Sequence, residues 1–328
     1  MARVPVLPGP VRAPQRTGRS APKGKNPRGK SRKATLCLWE PILSLTAFLL
    51  VTSASLAHAT WNFLAKRAAH SKHLIWFSSI TEALLFAPIA VWVLIKSWSS
   101  LGLPAAGFLL ATGVLHLLYT ESLLRGYRAG DLTVVYPLAR GTGPLLSFCG
   151  AVLLLHEHPS LLAGAGAVLI TFGILLSSGG VAALRHTHNH KGLFWGVATG
   201  SMIACYTLVD GYSVKTLLLS PFLVDYAGNL FRTVVLSGGA YRRRASLWPE
   251  YIQCWKEASG IGVLTPLGYV LVLFAMRLAP ISHVAPMREM SMMIGMYFGA
   301  KFLKEGQIIR RILGSVLIAG GVAALALG

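Results

Sequence analysis

Twelve polar or aromatic residues lie within, or at the ends of, long apolar runs of the sequence. Ionisable groups in hydrocarbon cost free energy, so such residues are candidates for a functional site. Tyrosine, tryptophan and asparagine side chains can hydrogen-bond a polar ligand, and arginine can hold a carboxylate or a phosphate through two parallel hydrogen bonds. The candidate binding residues are His58, Trp61, Asn62, Glu82, Tyr119, Tyr136, Arg140, Tyr206, Asp210, Asn229, Tyr269 and Arg288.

The order of these candidates along the chain predicts two polar clusters. The seven from His58 to Arg140 belong to the first half of the chain, and the five from Tyr206 to Arg288 belong to the second. Their places on successive runs put one cluster toward each side of a membrane, with an apolar middle between them. Such a division favours two gates around a central site. It disfavours an intramembrane enzyme, which would need its acid and base groups together at one depth.

The charges of the candidates indicate what they could bind. Glu82 or Asp210 is a candidate carrier of a coupling proton. Arg140, Arg232 and Arg288 favour a substrate with a carboxylate or a phosphate-like group. We predict no catalytic residue, no metal site and no cofactor.

Prolines and terminal arginines have other predicted roles. Pro137 and Pro286 are predicted helix bends that free backbone carbonyls, which membrane proteins tolerate where the carbonyls are buried or line a cavity. Arg125, Arg128 and Arg277 stand at the ends of apolar runs. We interpret these three arginines as residues whose side chains extend to the membrane surface rather than as ligands.

The composition indicates the kind of element that must position these residues. Of the 328 residues, 54% are hydrophobic and only 13% are charged. A water-soluble surface needs roughly a quarter of its residues to be charged, so the chain is predicted to be an all-α membrane protein. A helix needs about 20 apolar residues to cross the hydrocarbon. Ten such runs are present, at 41–64, 74–95, 103–124, 132–155, 160–183, 193–214, 220–239, 258–276, 281–303 and 309–327.

Polar segments separate these runs. After the amino-terminal tail the longest hydrophilic stretches are 184–192 and 241–257, and both are predicted to be loops. Half of the net charge of +20 lies on residues 1–36, which hold ten basic residues and no acid. This Pro-, Gly- and Ser-rich segment has too little apolar surface to fold, and we interpret it as a disordered tail or a tether to an anionic membrane surface.

The chain also repeats itself. Residues of the first half match residues 149 positions later in the second half. From Glu157 onward the spacing is 148, because the second half is one residue shorter at the preceding turn. Each repeat holds five runs, and an odd number forces the second repeat to begin on the opposite side of the membrane, as in many secondary transporters. The predicted units are a tail at 1–36, a first repeat at 37–183, a linker at 184–192 and a second repeat at 193–328. The matching proline and charged pairs are Lys66 with Lys215, Arg128 with Arg277, Pro137 with Pro286 and Glu157 with Glu305.

Three segments carry a resemblance to a known family. The first run ends in AHATWNFLAKR at 57–67, the fourth begins RAGDLTVVYPLARG at 128–141, and the ninth region reads RLAPISHVAP at 277–286, with Lys304 and Glu305 after it. In their order, spacing and duplication these motifs resemble the EamA-type drug/metabolite transporter superfamily. The resemblance implies ten helices in two inverted halves, with both termini in the cytoplasm. It does not fix a substrate, because members carry amino acids, other metabolites, nucleotide sugars or drugs.

The sequence therefore predicts a secondary transporter that moves a small organic metabolite, anionic or amino-acid-like, by alternating access. A lipid or lipid-linked sugar flippase is the alternative within transport, and an intramembrane enzyme is the alternative from another class. The expected partners are the solute and membrane lipids, with a homodimer left open and no nucleic acid. The expected location is a bacterial-type plasma membrane, crossed several times.

The orientation in that membrane is argued two ways. Loops on the side opposite the termini hold fourteen basic residues, against three in the loops on the same side. The positive-inside rule alone therefore favours termini outside. The ten basic residues of the tail and the family resemblance favour termini in the cytoplasm, which is the orientation we expect.

Overall fold

The described part of the protein consists of helices and their connections. The computed structural model describes residues 44–68, 70–98, 101–130, 132–179, 190–303 and 308–328. Eleven α-helices are found within these ranges. They are α1 (Leu45–Arg67), α2 (Leu74–Ser97), α3 (Leu103–Ala129), α4 (Leu132–Leu154), α5 (Leu161–Ser177), α6 (His190–Lys215), α7 (Pro221–Arg242), α8 (Arg244–Leu278), α9 (Ile281–Met287), α10 (Met290–Leu303) and α11 (Ile308–Leu327).

Local signals fix several helix ends. The hydroxyl of Ser44 accepts a hydrogen bond from the Ala47 N–H at 3.2 Å, and Ser160 does the same for Ala163 at 3.1 Å. These side chains satisfy backbone donors that the first turns of α1 and α5 leave without a partner. Pro221 begins α7, where its missing N–H costs no helical hydrogen bond.

Seven of these helices are long and apolar enough to cross a membrane. They are α1, α2, α3, α4 from Val134, α6, α8 and α11 from Ile309. Large apolar side chains on their outer faces are widely exposed, as Leu103 is at 91%. A contiguous apolar surface of this kind needs lipid rather than water around it. The chain is therefore an all-α integral membrane protein.

The remaining helices depart from the ten predicted runs in instructive ways. α5 is apolar but has only 17 residues. α7 has 22 residues, but Asp225, Asn229 and Arg232 make it more polar than its neighbours. The predicted ninth run, 281–303, is divided into α9 and α10 by a turn at Arg288 and Glu289, directly after Pro286, for which a bend is predicted.

The two predicted helix bends have different surroundings. Pro286 lies in the last turn of α9, two residues before that interruption. Its ring removes one backbone donor from the helical ladder. α4, in contrast, remains helical from end to end through both Pro137 and Pro144. The helix that contains Pro286 thus ends just after this proline, whereas the helix that contains Pro137 continues through it.

The prediction of a loop at 241–257 was wrong. Only Arg243 separates α7 from α8, and α8 extends over 35 residues from Arg244. The reason is tertiary: the amino-terminal part of α8 has one apolar face, on which Cys254 and Ala258 are fully buried and pack with Phe77 of α2. An average of hydropathy over all faces of a helix conceals such a face.

The predicted linker and tail lie mainly outside the described residues. Residues 1–43 and 180–189 are among those not described, and α6 already begins at His190. The last three residues of the predicted linker, 190–192, are therefore helical rather than loop.

The helices of the first half pack mainly on those of the second. α1 packs on α8 and α3 packs on α6; α2 contacts α7 and α8; α3 also contacts α7. α4 packs on α6, and α1 contacts α10. α5 and α11 form the closest pair. The polar residues of both halves are brought together between these helices.

Candidate functional site

A central cavity of about 300 Å³ lies between helices of the two halves. Its size is at the small end of the range for ligand pockets. Apolar wall comes from Ala54, Leu123, Ile203 and Val272. The polar and aromatic lining residues are His58, Trp61, Asn62, His116, Tyr119, Tyr127, Tyr136, Arg140, Tyr206, Asp225, Asn229, Arg232, Thr265, Tyr269 and Arg288.

Ten of the twelve candidate residues from the sequence line this cavity, and the other two lie directly behind its wall. Glu82 is 1% exposed and Asp210 is fully buried, and each contacts a lining side chain. Sequence reasoning missed Asp225 as a candidate. A signal for it exists: it precedes Asn229 by four residues and Arg232 by seven, so all three share one face of α7.

The expectation of two separate polar clusters was wrong. The ring of His116 from the first half stacks on Tyr206 from the second, with centroids 4.3 Å apart. The hydroxyl of Tyr136 likewise contacts the sulfur of Met292 at 3.8 Å. Helices of opposite halves cross at this level, so residues near different run ends meet in one cavity. The placement of the polar residues therefore no longer disfavours an intramembrane enzyme.

Arg140 is held from three directions. Its guanidinium donates to Glu289 at 3.4 Å and to the hydroxyl of Tyr136 at 3.4 Å, and it lies 2.7 Å from a ring nitrogen of His58. Glu289 is 1% exposed and does not line the cavity. The turn between α9 and α10 thus places a buried carboxylate behind a cavity-facing arginine.

Arg232 has the same arrangement on the other wall. Its guanidinium donates to Glu82 at 3.1 Å and to the side-chain oxygen of Asn229 at 2.7 Å. The amide of Asn229 in turn donates to the backbone oxygen of Ser79 at 3.0 Å. These bonds tie α7 to α2 and neutralise Arg232 within the protein.

Asp210 is the third buried acid. The hydroxyl of Tyr269 donates to its carboxylate, and a ring nitrogen of His116 lies 3.9 Å away. Tyr269 and His116 line the cavity, whereas Asp210 does not. Each of the three buried acids therefore lies behind a side chain that faces the ligand space.

Two charged side chains in the cavity wall differ from all of these. Arg288 is only 6% exposed, and its guanidinium makes no hydrogen bond or ion pair with any described residue. The carboxylate of Asp225 lines the same cavity and also has no such partner among the described residues. Both charges are thus available to a bound molecule.

A second cavity of about 710 Å³ adjoins the first toward one end of the helices. It reaches Lys66 at the end of α1 and Arg311 in α11. The two cavities share wall residues, so the second lies between the first and that end of the helices. The shared residues are His58, Asn62, Tyr127, Tyr136 and Arg140.

Near the carboxyl end of α6 the backbone is tied together by Arg277. Its guanidinium donates to the carbonyl of Val214 at 3.0 Å, of Leu218 at 3.0 Å and of Leu219 at 2.7 Å. The interpretation of Arg277 as a residue that only extends to the membrane surface was therefore wrong. It joins the end of α8 to the end of α6 and the segment that follows.

Glu157 and Lys215 complete this arrangement. Lys215 donates to Glu157 at 3.2 Å and to the carbonyl of Ala279 at 3.2 Å. The Glu157 carboxylate accepts from the N–H groups of Ile281 at 2.8 Å and Ser282 at 2.9 Å, the first residues of α9. We term Glu157, Lys215 and Arg277 with these backbone partners the latch.

The protonation of Glu157 is governed by these contacts. Burial alone would raise the pKa of Glu157, but the hydrogen bonds from Ser282 and Ile281 and the charge of Lys215 outweigh it. The pKa of Glu157 is consequently lowered from its ordinary value. The carboxylate is therefore ionised at neutral pH, the form that accepts both backbone N–H groups.

The position that corresponds to Arg277 in the first half looks different. Arg128, 149 residues earlier, is exposed and makes no hydrogen bond or ion pair with the described residues. The neighbouring Arg125 instead pairs with Glu121 at 2.7 Å. Of these two arginines, 149 residues apart, Arg277 thus forms hydrogen bonds and Arg128 forms none with the described residues.

Comparison with known proteins gives a likeness of fold. No protein-family model and no curated protein sequence matches the chain. One solved structure, described simply as the crystal structure of a protein, superposes with a TM-score of 0.68 at 14% sequence identity. The match covers 86% of this chain and 97% of the other. At this identity the likeness shows that the chain is similar to that protein in fold.

Proposed function

We propose that this protein is a secondary transporter that moves a small organic metabolite, anionic or amino-acid-like, by alternating access. The observation that carries the proposal is the asymmetry around the central cavity. A larger cavity adjoins the central one near the amino end of α4 and reaches Lys66, while the latch joins helix ends beyond the carboxyl end of α4. In each of its two states, an alternating-access transporter needs a central site that is accessible from one side of the membrane and closed to the other.

The relation between the halves supports a second, mirrored state. Arg277 and Arg128 stand at equivalent positions, and so do Lys215 and Lys66. In the state described here Arg277 ties three backbone carbonyls, whereas Arg128 is exposed. In the alternate state Arg128 would bind backbone carbonyls and close the end of the protein near Lys66. Arg277 would lose its backbone partners, and the end near Lys215 would open.

Helix packing supports ten spans in two inverted repeats, with α9 and α10 counted as one broken span. A two-fold exchange of the repeats turns the α1–α8 contact into the α6–α3 contact, and the α2–α8 contact into the α7–α3 contact. Both members of each pair occur. Likewise α4 packs on α6 while α10 packs on α1.

The closest helix pair has the same internal symmetry. An added Cβ on Gly166 would lie 2.7 Å from the carbonyl oxygen of Gly321, and one on Gly173 would lie 2.9 Å from that of Gly314. Exchange of the repeats, at the spacing of 148, converts each of these contacts into the other. α5 and α11 would therefore form the fixed support about which the remaining helices move.

Membership of the EamA-type drug/metabolite transporter superfamily belongs to this proposal. Its support is the motif order along the chain together with the packing described above. We further propose a bacterial-type plasma membrane with cytoplasmic termini, on the basis of the basic tail and the resemblance. The three buried acids suit coupling to a proton gradient, with Glu82 and Asp210 as the proposed carriers.

The test is uptake of a solute library by liposomes that contain the purified full-length protein, with and without a pH gradient. Two matched variants sharpen it. Arg277→Ala removes three hydrogen bonds of the described state and should lower the melting temperature, while Arg128→Ala should leave that temperature unchanged. Both should slow uptake several-fold, because each arginine closes one of the two states. Wild-type uptake by Arg128→Ala would contradict the proposed alternation.

A further inference from the structure

The charges around the central cavity divide into those neutralised by the protein and those that are not. Arg140 has Glu289 behind it, and Arg232 has Glu82. Asp210 lies outside the cavity wall and receives the Tyr269 hydroxyl. After these pairings, the lining retains one cation and one anion without a described partner.

The cation is Arg288, which leads into the turn between α9 and α10. Arg288 is only 6% exposed, and a buried guanidinium without a hydrogen-bonded or ion-paired acid is costly, because desolvation is not fully repaid. Its buried Nε atom has no hydrogen-bond partner among the described residues. A fork of N–H donors in this setting fits a planar carboxylate or a phosphoryl group of a ligand.

The anion is Asp225, one turn before Asn229 on α7. It is the acid that lines the cavity, since Glu82, Asp210 and Glu289 all lie behind the wall. The nearest arginine on its own helix, Arg232, is already bonded to Glu82 and Asn229. A carboxylate with no described donor fits an ammonium group of a ligand.

We propose that the central cavity binds a zwitterion, whose carboxylate or phosphoryl group pairs with Arg288 and whose ammonium group pairs with Asp225. This inference rests on the transport function proposed above and narrows its substrate class. A ligand with a single charge would leave one of the two protein charges buried and unpaired, whereas a zwitterion satisfies both. A volume of about 300 Å³ accommodates a ligand of roughly the size of a single amino acid.

The first experiment measures thermal unfolding of the purified full-length protein in detergent. Each of the twenty standard amino acids and phosphoethanolamine is added in turn. A molecule that binds the folded state raises the melting temperature in proportion to its affinity. The zwitterion that stabilises most is then compared with two analogues, an amine without the acidic group and an acid without the amine. Both analogues should bind roughly tenfold more weakly or worse.

Two variants then assign each charge. Arg288→Gln should lose roughly tenfold or more in affinity for the zwitterion and the acid but not for the amine. Asp225→Asn should lose roughly tenfold or more in affinity for the zwitterion and for the amine, but its affinity for the acid should not change. Arg242→Gln, an exposed position at the end of α7 that lines neither cavity, serves as the control and should leave all three affinities unchanged. If Arg288→Gln does not fold, Arg288→Lys replaces it. Because lysine lacks the fork of N–H donors, it should still weaken binding of the zwitterion and the acid, by a smaller factor, and leave binding of the amine unchanged.

Several outcomes would overturn the proposal. One such outcome is that no zwitterion raises the melting temperature. Another is that the acid and the zwitterion bind equally well and that Asp225→Asn changes neither affinity. Uptake assays separate this failure from failure of the transport function. If liposomes with the wild-type protein accumulate a purely anionic solute, the transport function is supported and the zwitterionic substrate is contradicted.

Discussion

Individual side chains show what can and cannot be inferred about a membrane site from sequence. A polar residue in an apolar run is conspicuous, and ten of the twelve candidates line one cavity. Their pairing is not visible in the sequence, because Arg140 meets Glu289 across 149 residues and Glu82 meets Arg232 across 150. Asp225 was missed since a single acid at the start of α7 is no more conspicuous than the acids in loops.

The Arg140–Glu289 pair gives a prediction at this scale. Arg140→Gln would leave Glu289 charged and 1% exposed without its partner. We expect a loss of about 3 kcal/mol in the free energy of unfolding, as for other broken buried pairs. Unfolding curves in increasing denaturing detergent would measure it.

The double variant is the control for that measurement. Arg140→Gln combined with Glu289→Gln removes both charges and should recover much of the lost stability. Strictly additive losses in the double variant would show that the two side chains do not stabilise each other.

At the scale of helices, the apolar runs located most elements but not their ends. α8 exceeds its predicted run by fourteen residues at the amino end, because Cys254 and Ala258 bury one face against α2. The ninth run is broken where Arg288 and Glu289 turn their charges inward. The first deviation comes from contacts between distant segments, which an average of hydropathy along the chain does not contain. The break follows Pro286, for which the sequence predicts a bend.

The α5–α11 contact can be tested with single methyl groups. An added Cβ on Gly314 would lie 2.7 Å from the carbonyl oxygen of Gly173, whereas one on Gly107 in α3 meets nothing within 4 Å. We expect Gly314→Ala to destabilise the protein by about 1–3 kcal/mol through overpacking. Gly107→Ala should be neutral or slightly stabilising, since alanine favours helix. Equal melting temperatures for the two variants would argue against close packing at Gly314.

The start of α9 is predicted to respond to pH. The folded-state pKa of Glu157 is lowered, so its stabilising effect is complete above the ordinary carboxyl pKa of about 4.3 and declines as pH falls through the lowered value. Melting temperatures of the wild type and Glu157→Gln should differ at pH 7 and converge toward pH 3. A difference that stays constant over this range would show that ionised Glu157 does not hold the latch.

For the whole molecule, the spacing of lysine, arginine and proline pairs along the chain predicts an internal repeat, which stays a prediction. The reciprocal glycine contacts between α5 and α11 support the proposed repeat. The sequence did not predict that both halves contribute to a single cavity. Position along a helix specifies depth in the membrane only after the crossing of helices is known. The fold class followed from composition, whereas the arrangement of the site required the tertiary structure.

The proposed transport mechanism requires the two ends of the protein to open in alternation. Single cysteines at position 136, which lines both cavities, and at position 285, which is 1% exposed, would be introduced after replacement of the four native cysteines. The rate of labelling by a water-soluble thiol reagent is then measured with and without Arg277→Ala. We predict fast labelling at 136 and slow labelling at 285 in the parent protein. Arg277→Ala should lower the first rate and raise the second, whereas rates that change in the same direction would contradict the account.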